Sequence, residues 1–178
     1  MKAVMLSIRP QWCEKICHQI GTENGKPVYE KSLDVRKNKP KIPTPFKCYI
    51  YCIVYGPVIW ENGKPMNGKV VGEFTCDNIK CFDVPYPAFQ NKLDKSIIAG
   101  SCCTYYMLHR YAYHDALCGW HISALQIYGK PKELREFKQC DKCPYGPAGR
   151  CKEHEFSCDG TYALTRPPQS WGYVEELQ

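Results

Sequence analysis

The sequence contains no apolar stretch near the roughly 18 consecutive residues that a membrane-spanning helix requires. Its first apolar run, residues 3–8, ends at Arg9 and Pro10 before it reaches the length of a signal-peptide core. Internal repeats, heptad patterns and low-complexity segments are also absent. Because these absences exclude a membrane bundle, a coiled coil and a repeat array, we expect a cytoplasmic protein with no membrane partner.

The composition is that of a soluble globular protein. Hydrophobic residues fill 44% and charged residues 24% of the 178 positions, which argues against disorder. This length suits one buried core, so we expect residues 1–178 to form a single domain. The formal net charge of +6 is compatible with a polyanionic partner, although a mildly basic surface also simply keeps a protein in solution.

Hydrophobic periodicity predicts mostly strands with about two helices, which indicates an α+β fold built on a small, partly open β-barrel. One helix should follow Pro10 and stop near Gly21, and a second should span residues 101–111. Alternating or continuous apolar residues predict the strands, which are Lys2–Ile8, Lys31–Arg36, Lys47–Tyr55, Lys69–Cys76, Trp120–Tyr128 and Tyr162–Thr165.

The strand at 31–36 carries an unusual set of polar side chains. Two apolar positions alternate with Ser32, Asp34 and Arg36, so a hydroxyl, a carboxylate and a guanidinium share one face. The Lys- and Pro-rich segment 37–45 that follows should be an extended surface loop. This strand and loop are therefore candidates for a site that binds anions.

A cysteine cluster gives the most specific chemical signal. The sequence has 13 cysteines, an odd number that excludes complete internal pairing, and a reducing compartment leaves most of them as thiols or metal ligands. Within a Cys-rich segment at about 138–160, two cysteines with two residues between them are followed by two more cysteines at wider spacing. This pattern predicts a structural zinc ion held by four thiolates. The ligands would be Cys140, Cys143, Cys151 and Cys158.

Other interpretations of this segment stay open. His154 could replace one thiolate as the fourth ligand, an iron–sulfur cluster fits the same spacing, and the four residues could be ordinary reduced cysteines in a loop. The nine other cysteines are expected to be core residues or scattered thiols. Cys118 could form a second metal site with His114 and His121, but packing is the simpler explanation of that group.

Taken in order, several motifs resemble the ASCH domain family, a branch of the PUA-like superfamily. The resemblance is carried by Leu6–Trp12, by the Lys-Ser-x-Asp-x-Arg pattern at 31–36 and by Gly68–Phe74. Two later motifs, Trp120–Ser123 and Leu164–Trp171, are similar to a prophage-associated subgroup of ASCH proteins. The resemblance implies a compact β-barrel with a cleft that binds RNA or nucleotides.

The same resemblance assigns residues to that cleft. It places Lys31, Asp34 and Arg36 in the cleft, with Glu73 facing them from a second strand. The sequence departs from the family pattern in two places. The glycine that usually precedes the lysine is absent, and the acidic position holds Asp34 where glutamate is usual.

Our first hypothesis is a module that binds a nucleotide or RNA through a basic cleft. Arginine and lysine side chains would contact phosphate, and an aromatic ring would stack on a base. The C-terminal motif Leu164–Trp171 contains an aromatic ring and a guanidinium that could lie at the opening of the same cleft. The candidate ligand-binding residues are Arg9, Lys31, Asp34, Arg36, Lys37, Glu73, Arg166 and Trp171.

Two alternatives belong to other classes of function. One bacterial branch of the family hydrolyses the amide of N4-acetylcytidine, which would make Lys31, Ser32, Asp34 and Glu73 candidate catalytic residues. That branch has threonine where this chain has Asp34, and two carboxylates near Lys31 should keep it protonated, so we expect absent or very slow hydrolysis. The other alternative is a phage-encoded interaction factor with a host protein as its partner.

Overall fold

The computed structural model describes residues 1–58, 60–61, 64–139 and 162–177, and the predicted cysteine cluster lies outside them. The described chain has the mixed α+β character that the sequence predicts, with short helices and many strands. Its elements are β1 (Lys2–Ile8), α1 (Pro10–Cys17), β2 (Gln19–Glu23), β3 (Lys26–Tyr29), β4 (Leu33–Arg36), β5 (Phe46–Cys52), β6 (Trp60–Glu61), β7 (Lys64–Pro65), β8 (Lys69–Cys76), β9 (Ile79–Phe82), α2 (Lys95–Ser101), α3 (Tyr105–Ala112), β10 (Leu117–His121), β11 (Ser123–Lys132), β12 (Lys138–Gln139), β13 (Tyr162–Ala163) and β14 (Trp171–Glu175).

The chain divides into two compact units, and our expectation that residues 1–178 form a single domain stays a prediction. The first unit contains Met1–Gln11, Phe46–Phe74 and Gln126–Gln178, and the second contains Trp12–Pro45 and Thr75–Leu125. Each unit has a buried hydrophobic cluster of its own. None of the helices in the described ranges has the length and apolar character that a membrane span needs.

The first unit is organised around β1, which is buried on both sides. This strand pairs in parallel with β5, where Val4 lies opposite Cys48, and antiparallel with β14, where Lys2 lies opposite Glu175. Both faces of β5 are buried, as its continuous apolar sequence predicts. The rings of Tyr49 and Phe137 meet edge to face at 4.8 Å in the core.

The predicted barrel was a partly open one, and no closed β-barrel is found among the described residues. The strands form one seven-stranded ladder in the order β11-β8-β5-β1-β14-β12-β13, which has two separate edges. A closed barrel would require its first and last strands to pair.

The second unit holds a three-stranded sheet, β4-β10-β9, together with α2 and α3. Adjacent strands β9 and β10 place Cys81 opposite Cys118, and a disulfide joins these two residues, which we expected to be thiols. The predicted helix at 101–111 is interrupted because Cys102 has φ +56°, a left-handed conformation that ends α2, and Thr104 then caps α3.

Residues 19–29 form a β-hairpin. Its strands β2 and β3 pair antiparallel, and the Asn24-Gly25 turn between them has positive φ at both residues. This is the backbone conformation that two-residue hairpin turns require and that Asn-Gly favours. The Asn-Gly pair is therefore the local sequence feature that accounts for this hairpin.

Candidate functional site

Strand β4 buries its charged side chains rather than its apolar ones. Asp34 and Arg36 are buried, whereas Leu33 and Val35 are half-buried. The guanidinium Nε of Arg36 lies 2.6 Å from Oδ2 of Asp34, so the two side chains form a hydrogen-bonded ion pair. The structure thus brings together two residues that the sequence assigned to one site, but it does so beneath the surface.

Lys31 lies just before this strand and is almost fully buried, with 3% of its surface exposed. Its Nζ donates a hydrogen bond of 2.7 Å to the carbonyl oxygen of Ser101 at the end of α2. The ammonium also lies 5.2 Å from the centre of the Trp12 ring, within the range of a cation–π contact. A helix end and an aromatic ring therefore enclose the lysine.

The approach of α2 to this segment depends on a glycine. The backbone nitrogen of Ser32 donates to the carbonyl of Gly100 at 2.9 Å. A Cβ atom at position 100 would lie 2.9 Å from the Ser32 hydroxyl and about as close to the Leu33 side chain. A larger residue at position 100 would force the Ser32 and Leu33 side chains to move, and the close approach that glycine allows brings the Ser101 carbonyl to Lys31.

Burial lowers the pKa of Lys31, because removing an ammonium from water disfavours its charged form. Asp34 and the thiols of Cys103 and Cys102 act in the opposite direction, but they do not compensate for the loss of water. The sequence argument expected neighbouring carboxylates to keep this lysine protonated. Burial has the larger effect on its pKa because the lysine is far more deeply buried than a residue in an open cleft.

Glu73, which we expected to face Lys31, has its described partners inside the first unit. The Tyr128 hydroxyl donates to Oε2 of Glu73, and the Lys47 ammonium lies 2.9 Å from Oε1. Burial acts to raise the pKa of Glu73, but these two hydrogen bonds outweigh it and lower the pKa. An ionised carboxylate held in this way is a poor proton shuttle at neutral pH.

The other residues that the sequence proposed around the β4 site are exposed. Ser32 and Arg9 both face solvent. Lys37 is exposed as well and forms an ion pair with Asp115, whose carboxylate lies 3.2 Å from its Nζ. These side chains are accessible to a ligand, whereas Lys31, Asp34 and Arg36 are buried.

Arg166 and Trp171, the two predicted residues from the C-terminal motif, line one cavity of about 410 Å³ in the first unit. Arg166 is exposed and Trp171 is half-buried. The ring of Trp171 meets the ring of Tyr173 edge to face at 5.5 Å. The described residues that line the cavity are Met5, Gln139, Leu164, Thr165, Arg166, Pro167, Pro168, Trp171, Gly172, Tyr173 and Val174.

The walls of this cavity are fixed by the sheet. Ser7 of β1 donates its hydroxyl hydrogen to the carbonyl of Pro168 at 2.6 Å, and its backbone nitrogen donates to the carbonyl of Ser170 at 3.0 Å. Strand β14 then pairs with β1 and carries both aromatic rings. Sequence reasoning missed Tyr173, although its period-two spacing from Trp171 was a usable signal.

No group of three or more potential metal ligands occurs among the residues that the structure describes. Cys118 is bonded to Cys81, so it is not a ligand to a second metal ion. The predicted zinc ligands Cys140, Cys143, Cys151 and Cys158, and the alternative ligand His154, lie in the range that the structure leaves undescribed. The zinc site therefore stays a prediction.

Comparison with known proteins identifies the fold. No family model matches the sequence, and no curated protein matches it. Crystal structures of an ASCH protein from Zymomonas mobilis do match, at 15% sequence identity.

The match to a Tyr-to-Phe mutant of that ASCH protein has a TM-score of 0.58 and covers 99% of this chain and 92% of the mutant's chain. A Ser-to-Ala mutant also has a TM-score of 0.58, with coverages of 98% and 89%. A third structure has a TM-score of 0.57, with coverages of 98% and 88%. At this identity the likeness shows the ASCH fold.

Proposed function

We propose that this chain with an ASCH fold binds RNA or a nucleotide in the cavity beside Arg166 and Trp171. The observation that carries the proposal is that an exposed guanidinium and an indole line one cavity of about 410 Å³. This volume falls in the range of about 300–1,000 Å³ that is usual for small-molecule sites. An indole can stack on a nucleobase, and a guanidinium can pair with a phosphate through two hydrogen bonds.

The charge around the cavity supports an anionic ligand. Among its described lining residues, Arg166 is charged and none is a carboxylate. The ammonium of Lys2 lies 5.2 Å from the centre of the Tyr173 ring, within the range of a cation–π contact. Gln139 and Thr165 supply an amide and a hydroxyl that can bond to the edge of a base.

The basic cleft expected around β4 is less suitable for phosphate. The side chain of Arg36 is 9% exposed, and its guanidinium is bonded to Asp34. Moving this arginine to a ligand would leave the Asp34 carboxylate buried without its partner, at a cost of several kcal/mol. The accessible Arg166 meets the requirements of a phosphate contact at no such cost.

Calorimetric titration with mononucleotides tests the proposal. We expect Arg166→Met and Trp171→Ala each to weaken binding about tenfold, which corresponds to about 1.4 kcal/mol. Arg135→Met is the matched control because Arg135 is an exposed arginine in the first unit outside the cavity lining. Equal affinities for wild type, Arg166→Met and Trp171→Ala would show that the cavity is not the nucleotide site.

A structural zinc ion forms part of this proposal. Gln139 of β12 pairs with Tyr162 of β13, so the two residues that flank segment 140–161 are partners in the sheet. Gln139 also lines the cavity, which makes the geometry of this segment relevant to the ligand. The four thiolates of Cys140, Cys143, Cys151 and Cys158 suit tetrahedral zinc without an open position for water, so the ion would stabilise the segment.

Elemental analysis tests the metal directly. Protein prepared without chelators should contain about one zinc ion per chain. Cys143→Ser should lose the ion, whereas Cys48→Ser, which changes a buried thiol of β5, should retain it. Absence of stoichiometric metal would contradict the zinc site, and iron with sulfide would replace it by a cluster.

One observation favours a second function, hydrolysis of an acylated nucleoside such as N4-acetylcytidine. The pKa of Lys31 is lowered, which is the direction that favours the neutral amine of a general base. Deep burial and the hydrogen bond to Ser101 limit its contact with a substrate. Turnover by wild type that is abolished by Lys31→Ala would establish this function, and absence of turnover would leave nucleotide binding as the activity.

A further inference from the structure

We propose that the exposed face of α3 is a docking surface for single-stranded nucleic acid. Tyr106 and Tyr111 of α3, and Tyr113 directly after its last residue, are 67%, 42% and 76% exposed, an unusual concentration of aromatic surface along one short segment. Arg110 is exposed on the same helix. We call these four residues the α3 face.

The geometry of the helix keeps this face outward. The opposite side of α3 is anchored in the core of the second unit by Tyr105, Leu108 and Ala112. Their spacing of three and four residues defines the buried stripe of an amphipathic helix. Tyr106 and Arg110 are four residues apart and therefore neighbours on the solvent side.

Two of the three exposed tyrosines contact a neighbouring aromatic ring, which lowers the entropy cost of binding. Thr104 caps the helix by accepting a hydrogen bond from the Met107 nitrogen at 3.3 Å. The ring of Tyr106 meets the buried ring of Tyr105 edge to face at 5.4 Å. The ring of Tyr113 lies 5.4 Å from that of His114. Such a surface is preorganised for stacking.

The charges near the face favour a polyanion. Residues 105–114 include Arg110, His109 and His114 but no Asp or Glu. The next residue, Asp115, is paired with Lys37 at 3.2 Å. An Arg between exposed tyrosines matches the alternation of phosphates and bases along a nucleic acid strand.

The side chains of the α3 face also indicate which class of partner it binds. Three of the four side chains in the face are hydroxyl-bearing rings and the fourth is a cation, whereas Met107 is the exposed aliphatic residue of the helix. A protein groove for a helix usually takes aliphatic anchors at this spacing. Bases must be unstacked before they can lie on tyrosine rings, so a single strand fits this surface and a duplex does not.

This inference shares with the proposed function only its class of ligand. The nucleotide cavity belongs to the first unit and the α3 face belongs to the second. The two sites can therefore be tested separately, the cavity with mononucleotides and the α3 face with longer strands.

Fluorescence anisotropy with a labelled RNA of about 12 nucleotides, within the usual site sizes, provides the test. We expect Tyr106→Ala with Tyr111→Ala to weaken binding at least tenfold, since each stacked base contributes about 1–3 kcal/mol. Tyr106→Phe should bind normally because the ring is retained. Tyr55→Ala is the matched control, since Tyr55 is 85% exposed and lies in the first unit.

Two further measurements separate this proposal from its alternatives. Arg110→Ala should reduce the salt dependence of binding by about one phosphate contact. The α3 variants should bind mononucleotides as wild type does, whereas Arg166→Met should not. Unchanged affinity of the α3 variants for single-stranded RNA would overturn the proposal. So would equal binding of single-stranded and duplex RNA, or loss of a protein partner while RNA affinity stays constant.

Discussion

Two arginines from motifs with the same predicted role have opposite environments. Arg36 of the second unit is buried and bonded to Asp34, whereas Arg166 of the first unit is exposed and lines a cavity with Trp171. A buried guanidinium stabilises the fold by pairing, and an accessible one can exchange water for a ligand. Burial therefore decides which of the two arginines can serve recognition, even though both belong to motifs that suggest it.

Among the tests of this contrast, Asp34→Ala should have the largest effect on stability. Removing the carboxylate leaves the Arg36 guanidinium buried without its partner, so we expect the free energy of unfolding to fall by about 3–5 kcal/mol. Urea denaturation measures the change. The double variant Asp34→Ala with Arg36→Met should recover much of the loss, because it removes the uncompensated charge. A single variant as stable as wild type would show that the pair is not structural.

The same pairing determines what to expect of Asp34→Thr, which introduces the residue that the amidohydrolase branch has at this position. A threonine hydroxyl cannot neutralise Arg36, so this variant should be destabilised nearly as much as Asp34→Ala. Any gain in hydrolysis should therefore be sought in a background that also carries Arg36→Met.

The next largest effect on stability should come from removing the disulfide of the second unit. Cys81 and Cys118 are 37 positions apart, and closing a loop of that size restricts the unfolded chain. We expect Cys81→Ser to lower the free energy of unfolding by about 2–4 kcal/mol under oxidising conditions. With a reducing agent present, wild type and Cys81→Ser should unfold at nearly the same urea concentration. A difference that persists after reduction would assign the effect to packing of the Cys81 side chain.

The sequence predicts elements better than it predicts which face of an element is buried. The bounds of β1 and β8 agree with prediction because their apolar patterns are long and continuous. The period of two in β4 correctly placed Asp34 and Arg36 on one face, but it could not show that this face is buried. The disulfide depended on the register between β9 and β10, a long-range property that local patterns do not contain.

Arg166→Met should separate binding from stability in the first unit. Because Arg166 is exposed, we expect the free energy of unfolding to change by no more than about 0.5 kcal/mol. Mononucleotide affinity should nevertheless fall about tenfold, as proposed above. Denaturation and titration of one preparation measure both quantities. A large loss of stability would place Arg166 with Arg36 as a structural residue and remove the contrast.

The smallest effect is a change in pH dependence at Lys31. Burial lowers its pKa in the folded chain below the ordinary value of 10.5. Between the folded-state pKa and 10.5, the unfolded chain holds a proton on this lysine and the folded chain does not. Stability contributed by this group is therefore present above 10.5 and lost as pH falls through the folded-state pKa.

Lys31→Met isolates this contribution, because methionine keeps a similar length without a titrating group. The free energy of unfolding of wild type, relative to Lys31→Met, should rise as pH increases from neutrality towards 10.5. Other groups that titrate in this range are common to both proteins and cancel in the difference. A relative stability that is constant or decreases with pH would mean that Asp34 and the neighbouring thiols outweigh burial, and that Lys31 stays charged inside the fold.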